Sequence, residues 1–194
     1  VVQRRALDLV LRAYGAETPH ARVLDARFAY GAALGDAGHY DEAVVELTQV
    51  LQQAQALLGP ESSMGGYVAA SLARYELARG NPAASLQHAQ QSLAIKRGEV
   101  AEDSYAMAMA QFQVARAQLA LHATTQALKA LDVARRAMLR TRGASSPQVA
   151  DLDFMRARAL AIEGRLPEAE QLAAQWLGLV REQTSPVLKM RAFH

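Results

Sequence analysis

Cysteine is absent from the chain, which excludes disulfide staples and thiolate metal sites and fits a reducing compartment. Aromatic residues make up only 6% of the 194 positions, so the core must be built mainly from small aliphatic side chains. No apolar run reaches the roughly 18 residues that a membrane-spanning helix needs. The most apolar tract, residues 101 to 121, is interrupted by Gln111, Gln113, Arg116 and Gln118. Charge of one sign is lacking as well. With 21 basic and 19 acidic residues the net charge is +2, too mild for a nucleic-acid-binding footprint, which would need basic residues gathered on one face. What is abundant is alanine, roughly a fifth of the chain, a strong helix former that also lets helices approach closely.

The alanines fall into a pattern. The segment from Gly38 to Ala43 is echoed at Gly80 to Ser85, at His122 to Ala127 and at Gly164 to Ala169, each 42 residues after the last. A fixed period of this size marks a solenoid of stacked supersecondary units. Each unit reads as two helices. Val23, Leu24, Phe28, Tyr30, Gly31 and Leu34 fall at helical spacing before the Gly38 break, and Ala43, Val44, Leu47, Val50, Leu51, Ala54 and Leu58 do so after it. Gly59-Pro60, Gly98, Gly143 with Pro147, and Ser185-Pro186 punctuate the chain at related places. Asn81-Pro82 marks a helix start by placing a capping side chain before a proline at the first helical position, and Pro167 is expected at a similar point.

A small residue within the first helix, a glycine-x-aromatic turn and an early alanine in the second helix, seen best in Gly31, Gly38, Tyr40 and Ala43, resemble a tetratricopeptide (TPR) repeat. The long period and the Leu58-Gly59-Pro60 linker are similar to the subtype found in kinesin light chains and in bacterial signalling proteins. The resemblance implies an all-α, right-handed α-solenoid acting by binding proteins or peptides in its groove. It implies one repeat domain over 1–194, with a partial second helix in 1–19. Full repeats follow at 20–61, 62–103, 104–145 and 146–184, and a further first helix starts in 185–194. The array is thus expected to be a piece of a longer one. Some positions depart from the pattern. His122 replaces the turn glycine, Ser85 the alanine, Pro82 and Thr124 the aromatic, and Arg156 an aliphatic. The kinesin-type asparagine is replaced by Ala29, Ser71, Gln113 and Met155, so cargo recognition of that kind is not implied.

First helices line the groove in such arrays. Their outer stripe reads Asp25, Phe28, Ala32 and Gly35; Tyr67, Ala70, Arg74 and Leu77; Met109, Phe112, Arg116 and Leu119; Asp151, Phe154, Arg158 and Ala161. The expected partner-binding residues are Phe28, Tyr67, Arg74, Met109, Phe112, Arg116, Phe154 and Arg158. Arg74, Arg116 and Arg158 recur in register, as a cationic ladder for carboxylates or phosphates would. They serve equally as a solvated surface, and the phenylalanines equally as core. Asp25 and Asp151 at the rim argue against a uniformly acidic ligand.

Catalytic readings find little support. His20, His39, His88, His122 and His194 lie in separate turns or helices without metal-ligand spacing, so no metal or other cofactor is expected. Asp41-Glu42, Asp151 with Asp153, and Glu168 with Glu170 are read as helix-start acids that complement the helix dipole. Gly65-Gly66 lacks the spacing of a phosphate loop and is read as loosening a helix start or admitting a close neighbour. Arg135, Arg136, Arg140 and Arg142 fall on a second helix, as a solvated convex face. Trp176 is read as packing. The resulting expectation is a non-enzymatic, cytoplasmic binding scaffold or sensor for a protein or peptide with acidic groups, within a larger bacterial regulatory protein. No membrane span and no direct nucleic-acid contact are expected. The alternative is an intramolecular or self-associating module that positions a kinase or DNA-binding domain.

Overall fold

The computed structural model describes residues 2–15 and 20–184, and the further helix expected in 185–194 lies outside them. Among the described residues the chain is all-α. Nine helices follow one another: α1 (Val2–Tyr14), α2 (Ala21–Asp36), α3 (Tyr40–Leu58), α4 (Ser63–Ala78), α5 (Pro82–Glu99), α6 (Tyr105–Ala120), α7 (Thr124–Arg142), α8 (Pro147–Ile162) and α9 (Leu166–Thr184). Helices α2 with α3, α4 with α5, α6 with α7 and α8 with α9 pack as antiparallel hairpins. The chain divides into two compact units, Val1–Val100 and Ala101–His194.

The period is visible in the backbone. Gly38, Gly80 and Gly164 turn the chain between the helices of three hairpins with φ of 88°, 85° and 78°, and His122 makes the same left-handed turn at 58°. A residue with a Cβ pays for that conformation, and His122 is the only non-glycine to do so among the described residues. The start of each first helix is capped at the same interval. Ser62, Ser104 and Ser146 accept hydrogen bonds from the backbone N–H groups of Gly65, Met107 and Val149, and His20 accepts from that of Arg22. These hydroxyls and the His20 ring satisfy donors that helix geometry leaves unpaired. Asn81 caps α5 ahead of Pro82, and Pro167 is the second residue of α9.

In the first unit the core gathers Leu24 of α2, Ala43, Val44, Leu47, Val50, Leu51 and Ala54 of α3, and Val68, Leu72 and Tyr75 of α4. Each fully buried leucine or valine contributes about 1.5–3 kcal/mol. Glycines set the close approaches. A Cβ on Gly31 would meet the Leu47 side chain at 2.9 Å, and one on Gly66 would meet Ile95 at 3.0 Å. Gly65-Gly66 therefore admits α5 rather than loosening the helix, and the Ser92 hydroxyl donates to the Gly66 carbonyl at 2.9 Å. The Ser85 hydroxyl, where the repeat calls for alanine, is likewise satisfied by the Ala73 carbonyl at 2.7 Å. In the second unit the core is dominated by alanine: Ala108 and Ala115 of α6, Ala127, Ala130, Leu131, Ala134, Ala137 and Met138 of α7, and Val149, Leu152 and Ala159 of α8.

Candidate functional site

The expected binding residues lie on the first helices. In the first unit, Phe28 of α2 is half-buried against the core. Tyr67 of α4 is 55% exposed, and the Lys96 ammonium lies 3.9 Å from the centroid of its ring. Lys96 is itself buried and pairs with Glu99 at 3.3 Å. Glu99 also accepts from the Ser63 hydroxyl. That hydrogen bond, aided by Lys96, holds the Glu99 carboxyl below its ordinary range.

Arg74 lies seven residues along the same helix from Tyr67 and belongs to a small network. Its guanidinium sits 4.6 Å from the ring centroid of Tyr75, donates to the Tyr75 hydroxyl at 2.5 Å and pairs with Asp36 at 3.1 Å. The Tyr75 oxygen also lies 2.9 Å from both the Ala32 carbonyl and Asp36 Oδ1. Burial pushes the Tyr75 hydroxyl pKa up, the bond to Asp36 adds to the rise, and Arg74 opposes it. The ring has one seat. It lies over Gly35, where a Cβ would come within 2.2 Å of Tyr75 Cζ. Gly35, a member of the expected outer stripe, is therefore buried beneath an aromatic ring.

In the second unit, Met109 and Phe112 of α6 are partly buried against the core. Arg116 lies 5.9 Å from the Phe112 ring and donates to Gln113 at 3.2 Å. Phe154 of α8 stacks on Trp176 of α9 with centroids 4.7 Å apart. Arg158 is exposed, with Nη1 3.7 Å from Met155 Sδ. No carboxylate among the described residues pairs with it. A cleft of about 370 Å³ opens beside Trp176, bounded also by Val149, Ala150, Arg135 and Asp153.

The functional reading of the basic cluster on α7 changes here. Arg135 grips Asp153 through Nε at 2.5 Å and Nη2 at 3.1 Å, and this bond raises the Arg135 pKa against the desolvation that would lower it. Arg140 pairs with Asp103 at 3.8 Å, and Arg142 lies 4.3 Å from the Tyr105 ring centroid. Arg136 is exposed. Most of the cluster thus joins helices to one another. Asp153 is not a helix-start acid. It is buried in the second turn of α8 and also pairs with Arg156 at 3.3 Å, which in turn reaches Asp132 of α7 at 2.9 Å. Asp41, Glu42 and Glu168 do occupy first turns.

The histidines stay apart. His20 stacks on Tyr14 at 4.3 Å, His39 lies 3.4 Å from Glu42, and His122 forms the turn. His88 is half-buried, and desolvation lowers its pKa while nearby Glu76 partly opposes the shift. His194 lies outside the described residues. Among the described residues no group of acids and histidines could hold a metal ion, and no helix is long and apolar enough to cross a membrane.

The arrangement matches known structures. The chain is similar to a kinesin light chain-like protein with nearly identical TPR-like repeats from Podosopora anserina, at a TM-score of 0.74 and 21% identity, covering 94% of this chain and 89% of that one. It is also similar to BtubC (BKLC) from P. vanneervenii, at a TM-score of 0.80 and 11% identity over 95% of this chain and 72% of that one. A third likeness is to Bacillus thuringiensis PlcR, whose structure was solved in complex with the peptide PapR7 and DNA. The TM-score is 0.64 at 16% identity over 99% of this chain and 66% of that one. No family model matches the sequence, and neither does any curated protein. The fold is that of the TPR-like helical-repeat solenoids.

Proposed function

We propose that this chain is a protein- or peptide-binding scaffold that engages its partner through the outer stripe of the first helices. In this reading it is the sensor or scaffold part of a larger bacterial regulatory protein, working in the cytoplasm. The observation that carries the reading is the arginine at one repeat position in α4, α6 and α8 (Arg74, Arg116 and Arg158), with exposed Tyr67 on the same helix as Arg74. An exposed guanidinium is suited to bidentate capture of a carboxylate, and a tyrosine ring supplies contact area at low entropic cost. The likeness to PlcR, which was crystallised with a peptide, supports a peptide as the partner class. To test this, a random peptide library is panned on the immobilised chain, and affinities of the selected peptides are measured for the wild type and for Arg74→Ala/Arg116→Ala/Arg158→Ala. A loss of about ten-fold or more is expected from three ion pairs, those of exposed Arg74 and Arg158 and of half-buried Arg116. Unchanged affinity with unchanged helicity would remove the stripe from the site.

A second reading, a self-associating module, is favoured by α1, where Val2 and Leu9, seven residues apart on one helix face, are 75% and 66% exposed. Light scattering over a concentration series separates the two. Growth in mass supports association, and a constant monomer mass counts against it.

A further inference from the structure

The three stripe arginines occupy one repeat position, yet Arg74 differs from Arg158 in what faces it. Arg74 meets a carboxylate from the preceding first helix, Asp36 at the end of α2. One, two and three periods after Asp36 stand Ala78, Ala120 and Ile162, none of which carries charge. The acid is peculiar to the first repeat. It is also held in place, because Asp36 Oδ1 lies 2.9 Å from the Tyr75 hydroxyl and Tyr75 is fixed over Gly35 with 2% exposure. The pair itself faces water, with side chains 44% and 63% exposed for Arg74 and Asp36.

We infer that Asp36 is a built-in competitor for Arg74, a carboxylate of the chain that fills the place an acidic partner's carboxylate would take. This rests on the stripe reading above. A partner acid arriving at Arg74 must displace Asp36 and then lie beside its negative charge, whereas at Arg158 no such exchange is needed. Asp36 therefore sets specificity. It lowers affinity for acidic segments that would lie along α2 and α4. The cost of displacement is small because an exposed ion pair is weak. The competition tunes binding rather than abolishing it.

The test uses a fluorescein-labelled hexaglutamate peptide as the probe and fluorescence anisotropy at low salt, with the whole chain as wild type, Asp36→Asn, Asp36→Asn/Arg74→Ala, and the triple arginine-to-alanine variant. Asparagine keeps a polar partner for Tyr75, and circular dichroism checks the fold of each variant. Asp36→Asn is expected to bind the probe about two- to five-fold more tightly than wild type, as release of one exposed ion pair allows. The gain should vanish when Arg74 is also removed. Equal binding by wild type and Asp36→Asn overturns the competitor, provided the triple variant binds more weakly than wild type. If the triple variant binds as well as wild type, the stripe reading fails instead. Absence of binding by wild type and Asp36→Asn alike counts against both.

Discussion

The interface where α4 meets α3 in the first unit and the one where α8 meets α7 in the second occupy the same places in the repeat, two periods apart, and are built from opposite chemistry. In the first unit the positions are Leu51 and Thr48 on α3 with Ala69 and Leu72 on α4; in the second they are Arg135 and Asp132 on α7 with Asp153 and Arg156 on α8. Leu51, Ala69 and Leu72 are buried among apolar neighbours, whereas the four charged residues satisfy one another through paired hydrogen bonds. A backbone plan set by caps and turns thus tolerates either solution. The two differ in how they fail. An apolar cluster loses stability in proportion to the volume removed, but a charge network that loses one member leaves its partners buried and unpaired.

The largest effect expected from this contrast is at Asp153. Asp153→Ala strands Arg135, while Arg156 keeps its bond to Asp132, and should cost about 3 kcal/mol in urea unfolding, toward the low end for a broken buried pair because Arg135 keeps some access to water. In the first unit the corresponding weak point is steric. Gly35→Ala drives a methyl group into the Tyr75 ring and should cost about 2 kcal/mol by overpacking, read as a lowered unfolding midpoint. The comparison is sharpened by exchange. Replacing Asp132, Arg135, Asp153 and Arg156 together with the first unit's Thr, Leu, Ala and Leu should leave stability unchanged or raise it by about 1 kcal/mol. A loss comparable to that of Asp153→Ala alone would show that the network is worth more than an apolar cluster. His122→Gly should raise stability by about 1 kcal/mol by relieving the left-handed turn, and thermal melting reads it. The smallest effect is at His88. Its folded pKa lies below the ordinary 6.5, so the unfolded chain takes up the proton first as pH falls. The stability that neutral His88 contributes is therefore present above about pH 6.5 and is lost as pH drops toward the lowered folded value. Unfolding titrations at stepped pH should show this slope in the wild type and a flatter one in His88→Gln.

The regular parts of the molecule were legible because they recur. The period of 42 residues marks the hairpins, and it sets His122 in register with the turn glycines Gly38, Gly80 and Gly164, although the left-handed backbone there is visible only in the structure. The serine caps at 62, 104 and 146 carry the same register, a signal as regular as that of the glycines and prolines. What was not legible lies between helices. Asp153 reads as one more acid near a helix start until the fold turns it toward Arg135. Arg156, a departure from an aliphatic position, is the sign that charged pairs replace apolar contacts here. Gly35 recurs nowhere in its stripe, and its reason is Tyr75, 40 residues further on. Spacing along one helix cannot reveal a partner on another. For the candidate site, register aligned Phe28, Phe112 and Phe154 without telling how far each leans toward its second helix. The structure finds two of them half-buried against the cores and Phe154 stacked on Trp176.

That stack has a spectroscopic consequence. Trp176 is the only tryptophan in the chain, and its ring rests on Phe154 within the α8–α9 hairpin. Its emission therefore follows that hairpin alone, while far-ultraviolet circular dichroism follows every helix. In a repeat array, where neighbours supply much of each other's stability, the gap between the two midpoints measures how far melting of the α8–α9 hairpin runs ahead of the other helices, with no label attached.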